Sequence, residues 1–277
     1  MSKTALYSDQ QSLVCEGWLE SFKEVFKFRE LFYFFIWRDI LVRYKQAFFG
    51  LTWALIRPIL NMLFFTLVFG KIAHLPSDHV NYGLFVLAAM LPWQLFSSAT
   101  VEAGNSLVNQ AQLLSKVYFP RLLIPAAHIG VNLLDFAVTL VLFLILLPIY
   151  ANYQWSLLAT PFLILLTLML CLGSGIWLAA LTVRYRDFRI IVPFFMQFGM
   201  FISPVGYGSF LISDHLAWWY ALNPLVGIID GFRWAFFSHS HPFLLYNIIV
   251  STFITSLLFL GGLFYFKKTE KLLADII

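Results

Sequence analysis

Charge is scarce in this sequence, and so are the motifs of enzyme chemistry. Lys, Arg, Asp and Glu make up 12% of the 277 residues, where an ordinary soluble domain devotes roughly a quarter to them. A G-x-x-x-x-G-K-[ST] phosphate loop is absent; Gly70-Lys71 has neither the upstream glycine nor a following Ser or Thr, so the chain cannot hydrolyse ATP by that route. The six histidines form no H-E-x-x-H or comparable metal-ligand spacing, and no G-x-S-x-G elbow occurs, which leaves metal and serine-hydrolase chemistry without support. Of the two cysteines, Cys15 lies in a polar arm and Cys171 inside an apolar run, so no disulfide framework is implied. The first ten residues lack the basic start, short apolar stretch and small-residue cleavage site of a secretory signal, and the first true span is expected to direct insertion itself. Internal repeats and a sizeable soluble module are also missing.

What remains is apolar: 61% of the residues are hydrophobic and 19% aromatic. A bilayer core about 30 Å thick takes about 20 mostly apolar helical residues to cross. Six stretches meet that criterion: Leu51 to Ile72, Gly83 to Ala103, Leu122 to Tyr150, Leu157 to Leu181, Ile191 to Ile212 and Leu245 to Phe266. Seven basic residues precede the first span, Lys116 and Arg121 follow the second, Arg184, Arg186 and Arg189 follow the fourth, and Lys267, Lys268 and Lys271 follow the last. Only Lys71 and Arg233 fall on the other side. The positive-inside rule therefore predicts cytoplasmic termini. The expected organisation is an all-α integral membrane protein with a cytoplasmic arm over 1–50, a six-span domain over 51–266 and a cytoplasmic tail over 267–277.

Amphipathic segments lie on the basic side. Trp18, Phe22, Val25 and Phe32 recur at helical spacing, with Glu20, Lys23, Glu24 and Lys27 on another face, a pattern that suits a helix lying in the interface. Leu31 to Trp37 is too short to cross and reads as interfacial too. After the second span, Leu107, Ala111, Leu114 and Tyr118 form a stripe with Lys116 off it, and Pro120 ends that helix. Such a helix either docks a partner or rests on lipid. In Thr182 to Arg189, anchoring explains Arg184, Arg186 and Arg189, but not Asp187 beside Tyr185.

Ionisable residues within spans are functional candidates by default. Arg57 lies roughly 9 Å into the first span at 1.5 Å per residue, and Glu102 near the inner end of the second, so the two are expected to form an ion pair. His128, Asn132, Asp135 and Thr139 share one face of the third span. Interhelical hydrogen bonding is the preferred reading of that stripe, with a proton relay as the alternative. Between spans five and six, Ser203-Pro204, Gly206, Trp218-Trp219, Asn223-Pro224 and Gly231 interrupt an apolar stretch. A re-entrant pair of half-helices forming an outer gate fits, since irregular backbone at membrane depth must be covered or line a cavity; a loop on the outer headgroups is the alternative.

Together Arg43-Tyr-Lys-Gln46, Gly50-Leu-Thr-Trp53, Arg57-Pro58, Leu91-Pro-Trp93, Ser115-Lys-Val-Tyr-Phe-Pro-Arg121, Arg184-Tyr-Arg-Asp187, Ser203-Pro204, Asn223-Pro224 and Gly231-Phe-Arg-Trp234 make the chain resemble the membrane subunits of ATP-binding-cassette exporters for O-antigen, capsular polysaccharide and teichoic acid. The resemblance implies a homodimer in the bacterial inner membrane, with a channel at the dimer interface for a lipid-linked polysaccharide. It further implies two copies of a separate ATPase subunit that hold the ATP and Mg, no cofactor in this chain and no nucleic-acid partner. The arm helix would then be an interface helix, Leu107 to Tyr118 the main coupling helix, Arg184 to Asp187 a second ATPase contact and the broken segment a periplasmic gate. The 31 Phe, 12 Tyr and 9 Trp suit a wall along which sugars slide, yet aromatics also pack and anchor helices, so the resemblance alone carries the substrate class. The competing readings are a drug exporter permease, a proton-coupled carrier using His128 and Asp135, and a lipid-linked glycosyltransferase, the last lacking paired exposed carboxylates.

Overall fold

The computed structural model describes residues 27–45, 50, 52–78, 80–114, 116–117, 119–150, 154–238 and 241–276. Trp18, Phe22, Val25 and Tyr118 lie outside them. Every regular element among the described residues is helical. In chain order these are α1 (Arg29–Lys45), α2 (Thr52–Phe65), α3 (Tyr82–Asn109), α4 (Ala111–Leu114), α5 (Leu123–Tyr150), α6 (Thr160–Arg184), α7 (Phe188–Ile202), α8 (Asp214–Tyr220), α9 (Pro224–Phe237) and α10 (Leu244–Ile276). A wider π-helical segment, Thr66–Ile72, prolongs α2, and short 3-10 helices lie at Trp155–Ala159 and Ser209–Leu211.

Among the described residues, five helices are long and apolar enough to cross a membrane: Thr52–Ile72, Tyr82–Asn109, Leu123–Ile149, Trp155–Arg184 and Leu244–Glu270. The sixth apolar helix, α7, has 15 residues, short of the about 20 that a full crossing takes. The expected span from Ile191 to Ile212 thus stops ten residues early, at Ile202. Pro204 is the reason. Its ring disfavours helical geometry in the preceding residue, and Ser203 is extended at φ −84° and ψ 152°. At the other extreme, α10 continues past Phe266 through Lys267 and Lys268 to Ile276, so the expected tail is the end of that helix.

The core is built around α3. Val86, Leu87, Ala88 and Ala89 are fully buried, as in a helix that is apolar all round, with α5, α6 and α9 against it. By contrast α2 turns Leu60, Leu63, Phe64 and Leu67 outward, and α7 turns Ile190, Phe194, Phe195 and Phe198 outward. Faces of that size exceed what a water-soluble surface tolerates and belong against lipid or another chain.

Where α6 crosses α10, small residues let the backbones meet. A Cβ on Gly173 would stand 2.7 Å from the backbone of Phe259, and one on Gly262 would stand 2.4 Å from the carbonyl oxygen of Gly173. Gly261, next in sequence, faces open space. Gly173→Ala is expected to lower the unfolding temperature of the detergent-purified protein, reflecting about 1–3 kcal/mol of overpacking. Gly261→Ala should leave it unchanged or raise it, and fluorescence-detected size exclusion after heating reads both variants.

Candidate functional site

At one end of the bundle, α1 is a two-faced helix. Glu30 in its first turn and Arg43 and Lys45 in its last complement the helix dipole. Leu31, Phe32, Phe35 and Ile36 pack on Phe119, Leu123, Ile124 and Ala127. Gly130 of α5 permits the approach, because a Cβ there would stand 2.6 Å from Cδ1 of Ile36. Tyr33, Phe34, Trp37 and Val42 stay exposed on the other side. One apolar face thus grips the bundle and the other is free to enter lipid headgroups.

The end of α1 carries the polar centre of the structure. Arg43 donates through Nη2 to Glu102 of α3, and through Nη1 to Oδ2 of Asp135 on α5 at 2.9 Å and to Oδ1 of Asn132 at 3.4 Å. Asn132 Nδ2 in turn donates to Glu102 Oε2 at 2.7 Å, and the Tyr44 hydroxyl donates to Asp135 Oδ1. Burial alone would lower the pKa of Arg43, but the paired charges of Glu102 and Asp135 outweigh it and the net shift is upward. Burial, with the Asp135 hydrogen bond second, pushes the Tyr44 phenol up. Both groups keep their protons at any physiological pH, so the cluster is a permanent tie among α1, α3 and α5.

Glu102 is therefore paired with Arg43, not with Arg57 as the depths in the sequence suggested. Arg57 is exposed and makes no ion pair among the described residues. It lines a cavity of about 260 Å³ together with Arg43, Tyr44, Trp53, Gln94, Glu102, Asn132, Asp135 and Thr139. The stripe on α5 divides between two partners on α1. Asn132 and Asp135 meet Arg43, while His128 places Nε2 4.0 Å from Oδ2 of Asp39 and Nδ1 2.9 Å from the Ile124 carbonyl. In the sequence Arg43 and Tyr44 stand as an anchor and a motif, and helical spacing does not mark them as the partners of Glu102 and Asp135. The available signal was the excess of two carboxylates over the single arginine assigned to them.

Beyond the cluster, the predicted coupling stripe takes a different form. Leu107 lies within α3 and is fully buried, so it belongs to the core instead of a docking surface. Only Ala111–Leu114 forms a further helix. Leu114 packs beside the same core cluster as Leu107, whereas Lys116 is exposed. Arg184, Tyr185, Arg186 and Asp187 are all exposed between α6 and α7, and the Arg184 guanidinium lies 5.2 Å from the Tyr185 ring centre. Arg189 Nη2 donates to Asn109 Oδ1 at 2.8 Å, which joins the two loops.

At the opposite end, α9 is enclosed along nearly its whole length. Asn223 caps it, with Oδ1 accepting from the Leu225 amide at 3.1 Å and Pro224 at a first-turn position. Asn223 Nδ2 also donates to Ser203 Oγ at 3.0 Å, and Gly231 lets α9 meet Leu163. Pro204 and Gly206 are buried, while Trp218 and Trp219 project outward. The residue that holds the segment is Arg233, which in the sequence stands as a cation on the outer side and within Gly231-Phe-Arg-Trp234. It donates to the carbonyls of Tyr207 at 3.0 Å and Val205 at 3.1 Å, and stacks 3.6 Å from the Phe85 ring centre. Tyr82 donates its hydroxyl to the Gly206 carbonyl. Ser209 and Asp230 both approach the same ring nitrogen of His241, Nε2, at 3.2 and 3.5 Å. A Ser-His-Asp relay needs both nitrogens, so this trio is not one.

A helical bundle with five helices long enough to cross a bilayer, large outward apolar faces and charges tied inward defines a multi-pass membrane protein. The profile of the family described as ABC-2 type transporter matches residues 30–237, and the chain belongs to that family. Its relatives include the O-antigen export system permease protein RfbA of Myxococcus xanthus, 29% identical over 79% of this chain and 85% of the relative. A protein of the same name from Klebsiella pneumoniae is 27% identical over 87% of this chain and 92% of the relative. The polysialic acid transport protein KpsM of Escherichia coli is 26% identical over 86% and 93%.

Removing Arg43 leaves two carboxylates facing each other. Arg43→Ala is expected to cost about 1–3 kcal/mol, the scale for stranding partly buried hydrogen-bonded charges. Adding Glu102→Gln and Asp135→Asn to that variant should recover most of the unfolding temperature.

Proposed function

We propose that this chain is the membrane subunit of an ATP-driven exporter that moves a lipid-linked polysaccharide, O-antigen or capsule, across the bacterial inner membrane. One observation carries the proposal: relatives named for O-antigen export and polysialic acid transport match between 79% and 87% of the chain, so the likeness is not confined to a generic membrane segment. In this reading six helices span, with α7 and the segment from Ser203 to Phe237 together completing the fifth crossing and an outer gate. Both termini lie in the cytoplasm, in keeping with the basic residues at that end. Two copies pair around a channel, and the outward faces of α2 and α7 are available for that contact and for lipid.

ATP and Mg are held by two copies of a separate ATPase seated against α4 and the exposed loop of Arg184, Tyr185, Arg186 and Asp187. Closure of the ATPase pair biases the channel only if those loops make different contacts in its two states. The tie from Arg189 to Asn109 makes them move together, and α3 and α6, continuous with them, carry the motion toward the Arg233 clamp. The arm before α1 would lie along the membrane surface.

Co-purification with the candidate ATPase tests the docking assignment. Lys116→Glu, at an exposed position, combined with Leu114→Asp should reduce ATPase recovery about tenfold, the ratio given by about 1.4 kcal/mol of lost affinity. Glycan should accumulate on the cytoplasmic side. Full ATPase recovery with the variants still monodisperse would contradict the assignment.

A further inference from the structure

We propose that the cavity beside the Arg43 cluster binds a single uncharged sugar unit, an inference that rests on the exporter reading for its choice of a sugar among polyhydroxyl ligands. Size sets the first limit. At about 260 Å³ the cavity falls just below the roughly 300–1,000 Å³ of sites that hold drug-sized ligands, so it admits a group of about one ring and no length of polymer. Charge sets the second. Arg43 and Arg57 are matched in number by Glu102 and Asp135 in the same lining, so an anion gains little net attraction. A polyol suits such a wall, because every hydroxyl both donates and accepts: the carboxylates take its protons while the guanidiniums and amides supply theirs.

Two further features point to an occupant. Gln94 Nε2 is shut away from solvent and has no hydrogen-bond partner among the described residues, and leaving an enclosed donor unmade costs about 1–3 kcal/mol. Gln94 lines the cavity, so a turn of its terminal amide would offer that donor to a ligand hydroxyl. Trp53, at the cavity edge, supplies the flat apolar surface on which the C–H face of a sugar ring packs. The geometry also assigns a consequence. Trp53 and Arg57 belong to α2, the least enclosed of the long helices, whereas Gln94, Glu102 and Asp135 belong to α3 and α5. A bound sugar therefore bridges α2 to the fixed cluster and sets where α2 stands.

Saturation-transfer NMR on the full chain in lipid nanodiscs tests this with the methyl glycosides of glucose, mannose, galactose and N-acetylglucosamine as neutral probes, and 31P line broadening reads the charged probe, inorganic pyrophosphate. Transfer to at least one glycoside is expected. It should weaken about tenfold in Gln94→Leu and in Trp53→Ala, by the affinity ratio that one lost packed or hydrogen-bonded contact gives, and persist in Gly261→Ala. Arg57→Gln, altered at an exposed side chain, keeps the test open should either of the first two fail to fold, and the same weakening is expected of it. No transfer to any glycoside, transfer that survives in all three cavity variants, or binding of pyrophosphate alone would overturn the proposal. Surface glycan in a strain lacking the chain separates the two readings: glycan retained inside such cells, with no glycoside binding, refutes the sugar site and leaves the exporter standing.

Discussion

A guanidinium buried among apolar helices must find acceptors, because the effective penalty for burying an ion is several kcal/mol even after relaxation. Arg43 sits between Glu102 and Asp135, and those three side chains come from three helices that share no sequence neighbourhood. Each helix is positioned by packing, but it is this pairing that fixes which stretch of α1 lies over which turn of α3 and α5. Ile36 completes the registration by filling the hollow at Gly130, while Phe35 packs on Phe119. A surface pair of the same composition would contribute at most about 1 kcal/mol; here two carboxylates, Asn132 and Tyr44 share one network, so no member leaves without stranding another.

A second network does the same at the far end. Arg233 gathers the carbonyls of Val205 and Tyr207, which the break at Pro204 leaves without helical partners. Irregular backbone at that depth is tolerated only when its polar groups are satisfied, and one buried arginine stacked on Phe85 satisfies two of them. The two arginines thus have opposite tasks: Arg43 joins regular helices, and Arg233 makes an irregular turn possible. Between them runs α3, the most enclosed of the long helices, on which both ends are mounted.

Much of the fold was legible because the signal was length and hydropathy. Five of the six expected stretches are helices long enough to cross, and the sixth shortens for a reason also visible in the sequence, the Ser203-Pro204 dipeptide. The polar stripe of His128, Asn132, Asp135 and Thr139 was readable from helical spacing. Its partners were not, because depth along a helix says how far a charge lies from the membrane surface but nothing of which helix stands opposite. That is why Glu102 was matched to Arg57 at comparable depth, when a helix that does not span at all delivers Arg43. The coupling stripe was legible only in part: Leu107, Ala111 and Leu114 keep helical spacing across the break at Gln110, so periodicity could not show that Leu107 lies in the buried end of one helix while Ala111 opens a separate short one.

ATP-driven movement of glycan through this chain is measured most directly as transport in sealed vesicles holding the permease, its ATPase and a lipid-linked glycan labelled at the sugar. Externally added ATP and Mg are expected to make the label inaccessible to an added glycosidase, in vesicles with the ATPase facing outward, and neither subunit alone should do so. Protection that appears without ATP and follows an imposed pH gradient would contradict ATP-driven export and point to a proton-coupled carrier instead.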